Sequence, residues 1–230
     1  MHGFQSWLSQ LDFSMLWNYA VIIAASMLCI MFHEVCHGLT ALKLGDTTAK
    51  DAGRLTFNPI KHIDLWGLLM MAVFKFGWAK AVPVDMRRFK HPLRDMAITA
   101  AAGPLSNVLL AYVALCIQAG ALYVNLRTSG AISGFVVLFF EYVAVLSVGL
   151  AVFNVIPIPP LDGSKVLGAF LPKKFYYRVL RYERYGFLIL MAVLYLGILD
   201  TPLNFCRSAL INGLSRIAVF PFYILQYFFG

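Results

Sequence analysis

Three ionisable side chains stand within five residues, directly after an apolar run. The run is WNYAVIIAASMLCIM, residues 17–31, and the chain continues as FHEVCHGL, residues 32–39. In a helix, positions i and i+4 differ by about 40° in rotation and about 6 Å in rise. His33 and His37 can therefore aim both imidazoles at one ion. Imidazole suits zinc. Glu34 is turned about 100° from His33, which favours taking a proton from water over joining the coordination sphere. Two histidines leave a catalytic zinc short of a third protein ligand. Asp162, in NVIPIPPLDGSK at 154–165, is the best candidate. Pro157, Pro159 and Pro160 forbid a regular helix there, and Gly163 lets the backbone turn beside the carboxylate. Irregular backbone at membrane depth is tolerated only against protein or a wet cavity. The competing reading of Asp162 is an N-cap for a short helix starting near Ser164. Cys29 and Cys36 lie on or near the His33 side of the helix, but a buried cysteine is usually a small hydrophobe.

The elements that must carry these groups belong in lipid. The 230-residue chain is 60% hydrophobic and only 13% charged, with a mean hydropathy of +0.75. That is about half the charged share of a soluble domain. The net charge of +8 is unevenly placed, with ten Lys and Arg between Lys43 and Arg94, six between Lys165 and Arg184, and three elsewhere. Clusters between apolar runs follow the positive-inside pattern and argue against a nucleic-acid partner. The four cysteines have no framework spacing, so disulfides are not expected.

The expected fold is an all-α polytopic membrane protein with four to six transmembrane helices, a broken-helix active site and a small membrane-associated β-hairpin. Spans are expected at about 13–44, 95–123, 132–153 and 185–199, with the 203–229 tail spanning or lying in the interface. The hairpin is expected in FKFGWAKAVPV, 74–84, about Gly77, after a short apolar piece, LLMMAVF. The charge pattern puts 43–94 and 165–184 in the cytoplasm, with the links near Arg127 and Asp200 outside. The whole chain, 1–230, reads as a single membrane-embedded domain, with a core at about 13–171 and C-terminal helices at about 182–229.

HEVCHG at 33–38, AAGPLSN at 101–107 and NVIPIPPLDG at 154–163, in that order, resemble the site-2 protease family of intramembrane zinc metalloproteases. GRLTFNPIKHID and GWAKAVPV resemble segments of bacterial members. The resemblance covers about residues 15–170 and is to the minimal class, without a PDZ or nucleotide-sensing domain. It implies hydrolysis of peptide bonds in transmembrane or membrane-associated protein substrates, in a bacterial cytoplasmic membrane, with the site toward the cytoplasm. Residue by residue, His33, His37 and Asp162 match the zinc ligands, Glu34 the catalytic base and Asn154 a substrate-contacting Asn. Val155 stands where the family often has Pro. Asn107 and Asn154 are both candidate side-chain donors to substrate or oxyanion. Gly103-Pro104 fits either close helix packing or a break in the second span. Glu141 is either a structural acid or part of a water path. Two rivals are a metal transporter, which predicts ligands spread over several spans, and a noncatalytic adaptor, which predicts loss of Glu34 or a ligand.

Overall fold

The computed structural model describes residues 13–64, 80–128, 132, 134–172 and 183–229. In chain order the helices are α1 (Phe13–Lys43), α2 (Thr48–Asp51), α3 (Pro92–Thr128), α4 (Gly134–Asn154), α5 (Asp162–Gly168), α6 (Glu183–Tyr195) and α7 (Asp200–Phe229). Four of them, α1, α3, α4 and α7, are long and apolar enough to cross a membrane. At 1.5 Å per residue even the 21 residues of α4 cover a hydrocarbon core of about 30 Å.

The four spans meet on small residues. Ala25 of α1, Ala114 of α3, Ala144 of α4 and Ala218 of α7 are almost fully buried together, with Cys29, Leu115 and Val143 filling the spaces. Small side chains let backbones approach where lipid supplies no hydrophobic drive for helix association. Cys29 is occupied in this packing, since its Sγ accepts from Ser147 Oγ and donates to the Val143 carbonyl. The outward faces are apolar. Leu105, Leu109, Val113 and Ile117 form an exposed stripe along α3, a surface matched to acyl chains rather than water.

Three expectations need correction. Residues 185–199 do not form a spanning helix. Among the described residues α6 covers 13 residues, about 20 Å, and is followed by a turn with Gly197 at φ 66°. The fourth candidate span is instead the tail, α7. The Asp200 link also does not share a side with the Arg127 link. Phe222 of α7 lies against Gly120 and meets the Tyr123 ring at a tilt, at the Arg127 end of α3. Asp200 lines a cavity with Ile30 and Phe153, at the opposite end. Finally, most of the expected 74–84 hairpin, together with LLMMAVF, lies outside the described residues. Its described part, Lys80–Val84, runs without ladder pairing, and there is no strand among the described residues. The α3 helix passes unbroken through Pro104, so Gly103-Pro104 is not a break.

The loops at the α1 exit are tied by Asp46. Its carboxylate accepts from the Thr48 amide and hydroxyl and from the Asp85 amide, and it lies near Arg88. The side chain is fully buried. Burial pushes its carboxyl up, but the hydrogen bonds from Thr48 and Asp85 and the Arg88 charge outweigh that and hold it below the ordinary value. A lowered carboxyl stabilises the fold above its unfolded pKa, about 3.9, and loses that contribution as pH falls through the folded value. Asp46→Asn is expected to lower stability by about 1–3 kcal/mol at pH 7, from the lost charge-assisted bonds. Thermal melting of purified protein should show the difference from the parent shrinking below about pH 4.

Candidate metal centre

α1 brings His33 and His37 to one face, with ring centroids 4.5 Å apart and edge-on. Asp162 arrives from the other side. α4 stops at Asn154, the proline-rich loop folds back, and α5 begins at Asp162 itself. Leu161, not Asp162, occupies the cap position, and no side chain caps this helix. The carboxylate is therefore free to face the imidazoles. Gly163 makes the turn possible, because a Cβ there would meet the Ile156 carbonyl oxygen at 2.6 Å and the Val155 carbonyl closer still.

The three donor atoms form a nearly equilateral triangle. His33 Nε2 and His37 Nε2 are 3.0 Å apart, and each is 3.1 Å from Asp162 Oδ2. All three residues are buried. Tetrahedral ligands at 2.0–2.1 Å from zinc would stand about 3.3 Å apart, so the triangle fits that ion. The ring hydrogen bonds sharpen the argument. His37 Nδ1 lies 2.7 Å from the Thr99 carbonyl, which only accepts, so Nδ1 carries the proton. In the neutral ring Nε2 is then a bare lone pair. His33 Nδ1 is 3.4 Å from the Asn107 amide, whose buried Oδ1 has no partner among the described residues. Turned over, that amide offers Oδ1 to an Nδ1–H, which leaves Nε2 of His33 bare as well. Three converging lone pairs repel one another unless a cation sits among them.

The surroundings preserve this geometry. Gly103 of α3 lies behind the rings, where a Cβ would come within 2.7 Å of His33 Cε1 and closer to His37 Nε2. Lys165 Nζ stands 3.8 Å from Asp162 Oδ1, the oxygen turned away from the imidazoles, which favours one-oxygen coordination through Oδ2. Burial pushes the Asp162 carboxyl up. The close His33 and His37 rings and the Lys165 charge more than offset it, and hold it well below the usual carboxylate range.

The centre opens on a cavity of about 400 Å³. Glu34, half-buried, faces this cavity, and its Oε2 accepts from the Val82 amide at 2.8 Å. Val82 is itself positioned, since the Lys80 amide donates to the His62 carbonyl and Arg54 donates to the Lys80 and Ala81 carbonyls. Asn154 lines the same cavity and donates to the Leu150 carbonyl of its own helix. Asn107 does not line it but backs His33, an arrangement that spacing alone did not suggest. Gly103 and Lys165 were likewise missed as contributors, although both lie in the segments that carry the site residues. Cys29 points to α4, and Cys36 is not in the donor group. Glu141 is exposed and accepts from Gln118 at 3.5 Å.

The profile of Peptidase family M50 matches residues 119–197, which include Asn154 and Asp162. The chain is 33% identical over 200 residues to "Putative zinc metalloprotease YwhC" of Bacillus subtilis, covering 85% of this chain and 91% of that protein. The chain belongs to peptidase family M50, the site-2 protease family. It is an intramembrane zinc metalloprotease, and the His33, His37 and Asp162 group is its metal-binding cluster. It is also 28% identical over 181 residues to "Putative zinc metalloprotease Rip2" of Mycolicibacterium smegmatis, covering 76% of this chain and 67% of that one. No solved structure matches the chain.

Asn107→Ala and Gly103→Ala are expected to weaken zinc binding, by about 10–100-fold for a lost ring hydrogen bond. Competition against a zinc chelator measures this directly. Unchanged affinity in both variants would show that the rings need neither support.

Proposed function

We propose that this M50 protease cleaves transmembrane or membrane-associated proteins within the bilayer, with Glu34 as general base and a site open toward the cytoplasm. The observation that carries the reading is the buried triangle of His33, His37 and Asp162, set beside a carboxylate that shares their cavity. Zinc, when bound, supplies Lewis acidity, making water acidic enough to lose a proton near pH ~7 and polarising a carbonyl.

The chain's own residues do the rest. The Val82 amide holds Glu34 by Oε2 and leaves Oε1 to take a proton from the attacking water. A C–O bond forms as that proton leaves. Glu34 then returns it to the departing nitrogen as the C–N bond breaks. Asn154 keeps its side-chain oxygen free for a substrate amide, because its nitrogen is committed to Leu150. Asn107 acts by orienting His33 rather than by touching substrate. Backbone at Ala81–Val84 lines the cavity and offers an extended substrate a surface to lie along.

The basic clusters at 43–94 and 165–184 flank the end of the bundle that holds the metal group, which favours a cytoplasmic opening. A transporter reading is disfavoured. Its ligands would be distributed along a path, whereas the donors found among the described residues form one group.

The test is cleavage of a single-span substrate by purified protein in nanodiscs. Cleavage should require zinc and fall by at least about 10²-fold in Glu34→Gln. Zinc content should stay as in the parent. Equal cleavage by Glu34→Gln would overturn the assignment of the base.

A further inference from the structure

The first turns of α7 carry Asp200, Asn204, Arg207 and Ser208 on one stripe, at helical spacing. All four side chains are exposed, and the stripe borders openings between α7 and the neighbouring helices. Ser26 of α1, Gly149 of α4, Asn204 and Arg207 line a cavity of about 490 Å³. Arg207 also lines a smaller one, about 170 Å³, with Val145 and Val148. Arg207 lies beside Gly149, with Nε 4.0 Å from where a Cβ would stand. Among the described residues Arg207 makes no hydrogen bond and no ion pair. Guanidinium stays charged in any protein environment. A cation inside a membrane helix calls for an anion or for water.

The larger cavity adjoins the metal centre. Ile30, Leu150 and Phe153 form part of both walls. Along α4, Gly149 lies five residues before Asn154, about 7.5 Å. An extended peptide advances about 3.3 Å per residue. A side chain two or three residues from the cleaved bond therefore comes level with Arg207. A lipid phosphate does not fit the depth. α4 barely spans the hydrocarbon, and Val145–Gly149 lies about 7–14 Å in from its Asn154 end. The Asp200 carboxylate turns back toward its own Gly197 turn, with Oδ2 3.1 Å from where a Cβ on Gly197 would stand.

We propose that the Arg207 cavity is a specificity subsite, which takes an Asp or Glu side chain of the substrate two or three residues from the scissile bond. Asn204 and Ser208 supply polar company for the ion pair, and Ile30, Leu150 and Phe153 pass the chain from one cavity to the other. The inference rests on the protease reading, because the subsite is placed by its shared wall with the metal-centre cavity.

The experiment scans Glu against Gln at each of five positions on either side of the mapped cleavage site of a single-span substrate. Purified zinc-loaded protein is used in phosphatidylcholine nanodiscs. At one position, two or three residues from the bond, Glu is expected to raise kcat/KM by about tenfold or more over Gln. That ratio should collapse toward one in Arg207→Gln. In Arg207→Glu it should invert in favour of Lys. Arg207→Lys keeps the charge and should retain part of the preference, which covers the case that Arg207→Gln does not fold. No acid preference in the parent, or one that survives in Arg207→Gln, overturns the proposal. So does an Arg207-dependent rise in activity on adding phosphatidylglycerol with no acid preference. The same peptides are also titrated against zinc-loaded Glu34→Gln protein, alone and with Arg207→Gln. An Arg207-dependent acid preference in Kd without any cleavage by the parent would support the subsite while overturning the protease reading.

Discussion

Two imidazole nitrogens and a carboxylate oxygen face one another at 3.0–3.1 Å, all buried. That arrangement is repulsive without a cation and favourable with one. Much of the surrounding structure serves to keep it in place. The Thr99 carbonyl takes the far proton of one ring, and Asn107 stands at the far nitrogen of the other. Gly103 gives the rings room, Gly163 lets the Asp162 turn close against the preceding loop, and Lys165 occupies the carboxylate's second oxygen. Each of these acts on the direction of a ligand rather than on the ion, and outer contacts of this kind govern metal affinity.

The bilayer sets the second constraint. A peptide hydrolase needs water, and a spanning helix must keep water from its own backbone. The chain separates the two demands. Alanines bring α1, α3, α4 and α7 together on a dry contact, while the site lies where α4 has ended and the backbone has become irregular. The segment Lys80–Val84 closes one wall and holds Glu34 through a single backbone amide. The Arg207 cavity adjoins that mouth as a mostly apolar groove edged by an exposed guanidinium, and its shared wall with the metal centre links it to the chemistry.

Much of this could be read from residue order. His33, Glu34 and His37 follow from helical spacing, and their place beside an apolar run makes an accidental cluster expensive. Asp162 needed the proline-broken loop and the family resemblance, because no local spacing links it to residues 125 or more positions earlier. The first three spans were legible as apolar runs. The region after residue 182 was not, because hydropathy measures apolar length and not where a helix stops. The turn at Gly197 follows the end of α6 at Tyr195, and among the described residues the fourth candidate span is α7. Asn107 and Asn154 looked alike in sequence, two amides in quoted motifs. Only packing shows one behind a ring and the other in the cavity. Gly103 matters through imidazoles brought by α1, so no window on the sequence contains the reason, whereas Lys165 acts on a carboxylate three residues away in its own helix.

X-ray absorption at the zinc edge of the purified, zinc-loaded protein tests the metal assignment most directly. The structure requires a first shell of nitrogen and oxygen at about 2.0–2.1 Å, with the outer-ring scattering of two imidazoles and no sulfur. The Asp162→Asn variant should lose that shell or bind zinc in a different one. A sulfur distance near 2.3 Å, which would bring in Cys29 or Cys36, would contradict the account. So would a spectrum unchanged by Asp162→Asn.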